Sequence, residues 1–239
     1  MSAGQPKISD NTIRRLKSGW AIELKFSEDA FLEKSRVLIP REDLLSVTTL
    51  QFQQSIIVVC PPQLEQLLRP LTETQLLDIR ILEQILKPYQ PIPIGTATIS
   101  YAERGTLAEQ SREINARSAR PEEVIEIMSH CTPDEQEESG LDQMPFRFAS
   151  QSSNGKTAAL SGYEIWNPHM AHVGVLTEPQ MRGQGFGFAA AAISAAAALD
   201  SDLIPQWRCR VDNTASQRLG YQLGFMKLGV QLALEVSLS

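Results

Sequence analysis

The chain has 239 residues, 42% of them hydrophobic and 21% charged, an ordinary globular balance with enough apolar side chains for one large core or two modest ones. Its 22 basic and 28 acidic side chains leave a net charge of −6, which argues against nucleic acid as a partner. Cys60, Cys131 and Cys209 are odd in number, far apart and without C-x-x-C spacing, so neither a disulfide framework nor a metal site is expected.

The opening stretch MSAGQPKISDNTIRRLK is polar, and no apolar run approaches the ~18 residues of a membrane helix, so the expectation is a soluble cytoplasmic protein without a membrane partner. Ser9 or Asp10 is placed to cap a short basic helix carrying Ile13 and Leu16. Trp20 to Phe26 reads as a strand, and Ser35 to Ile39 as an extended segment before Pro40. Gln54 to Val59 is a further strand, after which Pro62 starts a helix with Leu64, Leu67 and Leu68 on one face. Glu73 to Leu86 reads as a single helix stopped by Lys87-Pro88, and Thr96 to Tyr101 as a strand.

Arg104 to Arg120 is polar and poor in aromatics, which suggests a connector. The expected division is therefore 1–115, an α/β region of unknown role, and 116–239, a second domain. Pro121 and Pro133 each begin a helix with acids in its first turn. Phe146 to Gln151 and Thr157 to Trp166, around Asn154-Gly155, form a β-hairpin, and Ala171 to Thr177 a third antiparallel strand. An alanine-rich helix, a strand over Gln206 to Val211, a helix capped by Asp212 or Asn213 and ended by Gly224, and a last strand over Phe225 to Val236 complete the chain.

The run QMRGQGFGF lies between the third strand and the alanine-rich helix, with Arg182, Gly185 and Gly187 in R-x-x-G-x-G spacing. Glycines at such a turn let backbone N–H groups converge, and a helix N-terminus adds about half a positive charge at the same point. That combination suits a phosphate or pyrophosphate.

Strand, R-x-x-G-x-G, helix, strand and then an N-x-x-S helix ending in G-F resembles the GNAT superfamily of N-acetyltransferases over Phe146 to Val236. The segments DQMPFRF, AHVGVLTEPQMRGQGFG and LIPQWRCRV also look like a bacterial branch of it with a divergent N-terminal half. The resemblance implies an α+β (mixed α/β) fold with a mostly antiparallel central sheet flanked by helices, and an additional α/β N-terminal half. It implies transfer of an acetyl group from acetyl-CoA, as co-substrate and without a metal, to an amine of a small molecule or peptide. Backbone groups of Val175, Leu176 and Thr177 would pair with the pantetheine arm like an added strand. Arg182, Gly183, Gln184, Gly185, Phe186 and Gly187 would wrap the pyrophosphate, and Asn213 and Ser216 match polar positions near the pantetheine and thioester. A homodimer is compatible with the sequence.

Many members place a tyrosine seven residues after the asparagine as general acid for the thiolate. Here that position is Gly220, and Tyr221 lies about 100° further round a helix. Candidate bases are Glu164 on the second hairpin strand, Glu138 or Glu137 before the first, and His172 on the third, without a sequence signal that selects among them. Two other readings stay open. Gly185, Gly187 and Ala190 satisfy the G-x-G-x-x-A of a dinucleotide fold, although a loop precedes the first glycine and little chain remains beyond Val211 for a second half. The absent tyrosine also fits a catalytically inactive, acyl-CoA-binding regulatory module.

Overall fold

The computed structural model describes residues 7–32, 36–108 and 117–238, and the boundary expected at 115/116 lies outside them. The chain opens with α1 (Asp10–Glu23), followed by β1 (Arg36–Pro40), β2 (Ser46–Phe52) and β3 (Ser55–Cys60). Three short helices, α2 (Pro62–Leu68), α3 (Glu73–Leu76) and α4 (Ile79–Ile85), lead to β4 (Ile92–Tyr101). Then come β5 (Arg117–Ser118), α5 (Pro121–His130), α6 (Pro133–Ser139), β6 (Phe146–Gln151), β7 (Thr157–Asn167) and β8 (Met170–Thr177). The last elements are α7 (Phe186–Asp200), β9 (Ile204–Arg210), α8 (Thr214–Gln222) and β10 (Met226–Glu235).

Two expected elements come out differently. The segment Trp20 to Phe26 is no strand: α1 continues through Glu23, because Thr12, Leu16 and Trp20, spaced four apart, are all buried on one helical face. The single helix expected over Glu73 to Leu86 is two, since the Asp78 carboxylate accepts from the amides of Arg80 at 2.9 Å and Ile81 at 3.3 Å and so starts α4 afresh.

Chain segments alternate between two compact units. One takes the described parts of Trp20–Ile99, Arg210–Asp212 and Lys227–Ser239. In it β1 runs parallel to β3, β2 antiparallel to β3, and β10 antiparallel to β2 with Leu232 opposite Thr49. Every residue of β3 is buried. Ile56 and Val58 of β3, Val47 of β2 and Leu232 and Leu234 of β10 pack with Leu64, Leu68, Leu76 and Leu82 of the helices in one core.

The other unit takes the described parts of Met1–Gly19, Ser100–Cys209 and Asn213–Met226, so residues on both sides of the expected boundary build it. Ser9, just before α1, and Thr12 within it bond to the Glu103 carboxylate, at 2.9 Å and 2.7 Å from their hydroxyls. Its sheet is antiparallel from β5 through β8 and turns parallel where β9 meets β8. Strand alternation sends side chains to two cores. Tyr163, Ala171, Val173, Trp207 and Cys209 pack against Ala191, Ala192 and Ala195 of α7. Ala149, Leu160 and Leu176 pack on the opposite face with Val124 and Ile127 of α5 and Met144. The small side chains of α7 let that helix lie close on the strands. Both units are thus mixed α/β, with mostly antiparallel strands and flanking helices.

Candidate functional site

Among the described residues β8 and β9 pair at three positions, Met170 with Ile204, Ala171 with Pro205 and His172 with Gln206. Beyond them the strands part, although β8 runs on to Thr177 and β9 to Arg210. A groove of about 960 Å³ opens in the gap, with Val173 to Thr177 on one wall and Trp207 to Cys209 on the other. Gly174 sits near the fork, where a Cβ would collide with the Ser139 carbonyl at the end of α6. Glycine there lets α6 lie directly against β8. A strand edge released from its ladder carries backbone N–H and C=O groups toward any extended ligand in the groove.

At the far end of β8 the glycine turn closes the groove. Gly183 and Gly185 have φ of +74° and +87°, and a Cβ on either would meet nothing within 4 Å. Backbone conformation, not space, therefore calls for glycine at these two positions. Gly185 is the N-cap of α7 and brings no side chain to the cap. The first amides of that 15-residue helix are therefore without a side-chain cap where Gly185 to Phe188 line the groove. Gly187 packs so close that a Cβ would lie 2.6 Å from Thr177 Oγ1, which fixes the start of α7 against the end of β8. Arg182 stands beside this turn, its Nε donating to the Thr177 carbonyl at 3.3 Å. The arrangement offers an anion converging amides, the positive end of a helix and a guanidinium.

The groove gathers Val175, Leu176, Thr177, Arg182, Gly183, Gly185, Phe186, Gly187, Asn213 and Ser216, all expected from the sequence. Gln184 stays outside it, exposed, with its amide on the Gln180 carbonyl at 3.3 Å. Asn213 caps α8 by accepting from the Ser216 amide at 3.0 Å and donates its own Nδ2 to Glu138 Oε1 at 2.9 Å.

The four candidate bases separate. Glu138 lines the groove; Glu137, Glu164 and His172 do not. Glu164 accepts from Trp166 Nε1 at 2.8 Å and lies opposite His172 across β7 and β8. His172 is buried and stacked on Trp166 at 5.1 Å; burial first, and then the Arg208 charge, push its pKa down to about 3. It stays a neutral imidazole at ordinary pH, lies outside the groove's lining and is too weakly basic to take a proton from an amine there.

Several lining residues were not anticipated. Trp207 donates from Nε1 to the Ser216 hydroxyl and carbonyl, both at 3.1 Å, and forms part of the β9 wall. Glu135 of α6 pairs with Arg182 Nη1 at 2.9 Å. The signal for Glu135 lay in the acidic first turn after Pro133, which reads equally well as a solvated face.

A family model described as GNAT acetyltransferase matches residues 156–229, from the second hairpin strand through the glycine turn, α7, β9 and α8 into β10. No curated protein matches the sequence. The chain is similar in structure to an acetyltransferase of the GNAT family from Colwellia psychrerythraea, at 14% identity over 65% of this chain and 61% of that one, TM-score 0.47. It is also similar to a GCN5-related N-acetyltransferase from Kribbella flavida, at 15% identity over 67% of this chain and 63% of that one, TM-score 0.46. A GCN5-related N-acetyltransferase-like protein from Streptococcus suis aligns at 14% identity over 80% of this chain and 84% of that one, TM-score 0.45. The first two are spanned over less than two thirds of their length. The matched segment 156–229 contains the groove's strand edge, its glycine turn and its α8 wall, and it is over this segment that the chain is similar to the GNAT acetyltransferase family.

Proposed function

We propose that the chain is an N-acetyltransferase that moves an acetyl group from acetyl-CoA directly to an amine of a small molecule or peptide. The observation that carries this reading is the α7 N-terminus without a side-chain cap, opening on the same groove as the released edge of β8. The glycine turn and Arg182 would take the pyrophosphate, and the backbone of Val175 to Thr177 the pantetheine arm. Glu138 is the base this reading assigns, since it is the expected carboxylate that lines the groove. Holding amine and thioester together supplies much of such a reaction's acceleration, so the demand on proton-transfer groups is modest. Among the described residues no helix is long and apolar enough to cross a membrane, and no cluster of three or more metal-ligating side chains is present.

A second reading is favoured by Gly220, whose surroundings leave no room for the tyrosine many relatives use: the chain binds acyl-CoA without turnover. One experiment separates the two. The protein is incubated with acetyl-CoA and a broad panel of amines, and free thiol is followed with a chromogenic reagent. Saturable, amine-dependent thiol release supports the transferase; binding of acetyl-CoA with no release from any amine supports the binding module.

A further inference from the structure

Helix α6 reaches both walls of the groove. Glu135 and Glu138, three residues apart, both line it. Glu135 bonds Arg182 beside the glycine turn, and Glu138 accepts from Asn213 on the α8 side, each at 2.9 Å. The Glu135 carboxyl is held below the usual carboxylate range chiefly by the Arg182 guanidinium, so it is ionised at neutral pH. Both side chains of the pair are partly exposed, at 46% for Arg182 and 35% for Glu135, which makes the pair exchangeable.

We propose that Glu135 is a built-in competitor for the anionic end of the groove's ligand: it occupies Arg182 in the free chain, and a pyrophosphate must take the guanidinium from it. The proposal rests on the acetyl-CoA reading above and adds that Glu135 weakens CoA binding and hastens release of the spent carrier. Two physical effects act in the same direction. Arg182 cannot direct the same Nη1–H at the carboxylate and at a phosphate oxygen, and a carboxylate left beside a bound pyrophosphate repels it. The exchange needs no unwinding of α6. Glu135 Oε2 accepts from the Thr132 amide at 3.0 Å while Thr132 Oγ1 accepts from the Glu135 amide at 3.3 Å, so the capping box can hold the helix while Arg182 swings away.

Glu135→Gln tests this because glutamine keeps the length and the oxygen that the capping box uses. CoA, ADP and pantetheine are titrated calorimetrically into wild type and variant at one ionic strength. Tightening of about fivefold is expected for CoA and ADP, with slower CoA dissociation and no change for pantetheine, which has no phosphate. Arg182→Gln supplies an arm that leaves α6 untouched: it should weaken CoA binding, and adding Glu135→Gln to it should give a smaller gain than in wild type, because only the direct repulsion remains to be relieved. Equal CoA affinity of wild type and Glu135→Gln, equal tightening of pantetheine, or a gain undiminished without Arg182 overturns the proposal alone. If none of the proteins binds CoA, the acetyl-CoA reading falls and takes this one with it.

Discussion

A Cβ on Gly220 would lie 2.8 Å from Cδ1 of Trp207 and 3.0 Å from its Nε1, so the indole fills the space beside that turn of α8. The ring is held by its bonds to Ser216 and by Phe225, whose centroid is 5.3 Å away. A tyrosine at this position would have to displace an aromatic ring that forms part of the groove wall.

Gly220→Ala should therefore destabilise by about 1 kcal/mol. Overpacking costs roughly 1–3 kcal/mol, offset by the ~1 kcal/mol that alanine gains over glycine inside a helix. In a Trp207→Leu background the collision is gone and the same change should stabilise by about 1 kcal/mol. Urea unfolding of the four proteins gives the sign in each background. Stabilisation by Gly220→Ala in the presence of Trp207 would show that the ring does not own this space.

Glu123 is buried and pairs with Arg117, accepting from Nη1 at 2.7 Å, from the Arg120 amide at 2.8 Å and from the Thr157 hydroxyl. The Arg117 guanidinium foremost, working against desolvation and aided by Thr157 and Arg120, holds its carboxyl well below the carboxylate range. A depressed folded pKa means that this stabilisation is present above the unfolded value near 4.5 and is lost as pH falls below it. Glu123→Gln should cost roughly 3 kcal/mol at pH 7, the low end for breaking a buried pair because Arg117 is partly exposed. The variant should also unfold less steeply between pH 5 and 3, on the order of the carboxylate range. Thermal melts across that range check both, and parallel curves for the two proteins would contradict the assignment.

His172 behaves in the reverse of a histidine that gains a partner. Its folded pKa of about 3 lies below the ordinary 6.5, so the folded state keeps it neutral while the unfolded state takes up a proton below 6.5. Its contribution is intact above pH 6.5 and fades as pH falls toward 3, at up to about 1.4 kcal/mol per pH unit. Replacing His172 by Leu should flatten the stability profile between pH 6 and 4, on the order of that histidine window. The unfolding midpoint in urea, followed at half-unit steps, measures it.

Gly187 is tight where Gly185 is open. Gly187→Ala should destabilise by roughly 1–3 kcal/mol through its collision with Thr177 Oγ1, and Thr177→Ala should recover most of that loss. Gly185→Ala should cost about 1 kcal/mol from its left-handed backbone alone, with no recovery from any neighbouring truncation. Recovery of Gly185→Ala by trimming a neighbour would contradict the distinction.

The second half of the chain was largely legible because its signals are local. Pro121 and Pro133 start helices, Asn213 caps α8, Gly224 ends it at φ +91°, and the glycines announce the strand-to-helix turn. The first half was less so. Trp20 to Phe26 alternates well enough for a strand, and only the burial of Thr12, Leu16 and Trp20 on one face shows why α1 continues. Strand β2, SVTTLQF, went unread: its buried positions include the adjacent pair Thr49 and Leu50, which breaks simple alternation. The site divided along the same line. The glycine turn could be read from residue types, whereas the Trp207 wall, the Glu135–Arg182 pair and the seclusion of His172 arise from contacts between segments distant in sequence. No local pattern encodes which of two carboxylates, Glu138 or Glu164, faces the gap between parted strands.

The central claim is that the groove between β8 and β9 holds acetyl-CoA by its glycine turn. Calorimetric titration of acetyl-CoA into wild type and Gly185→Asp tests it most directly, because the aspartate puts a side chain and a negative charge at the α7 N-terminus, where the phosphates would lie. A saturable one-to-one isotherm for wild type and none for a folded Gly185→Asp protein is the predicted result. No binding to wild type, or equal affinity in the two proteins, would contradict the account.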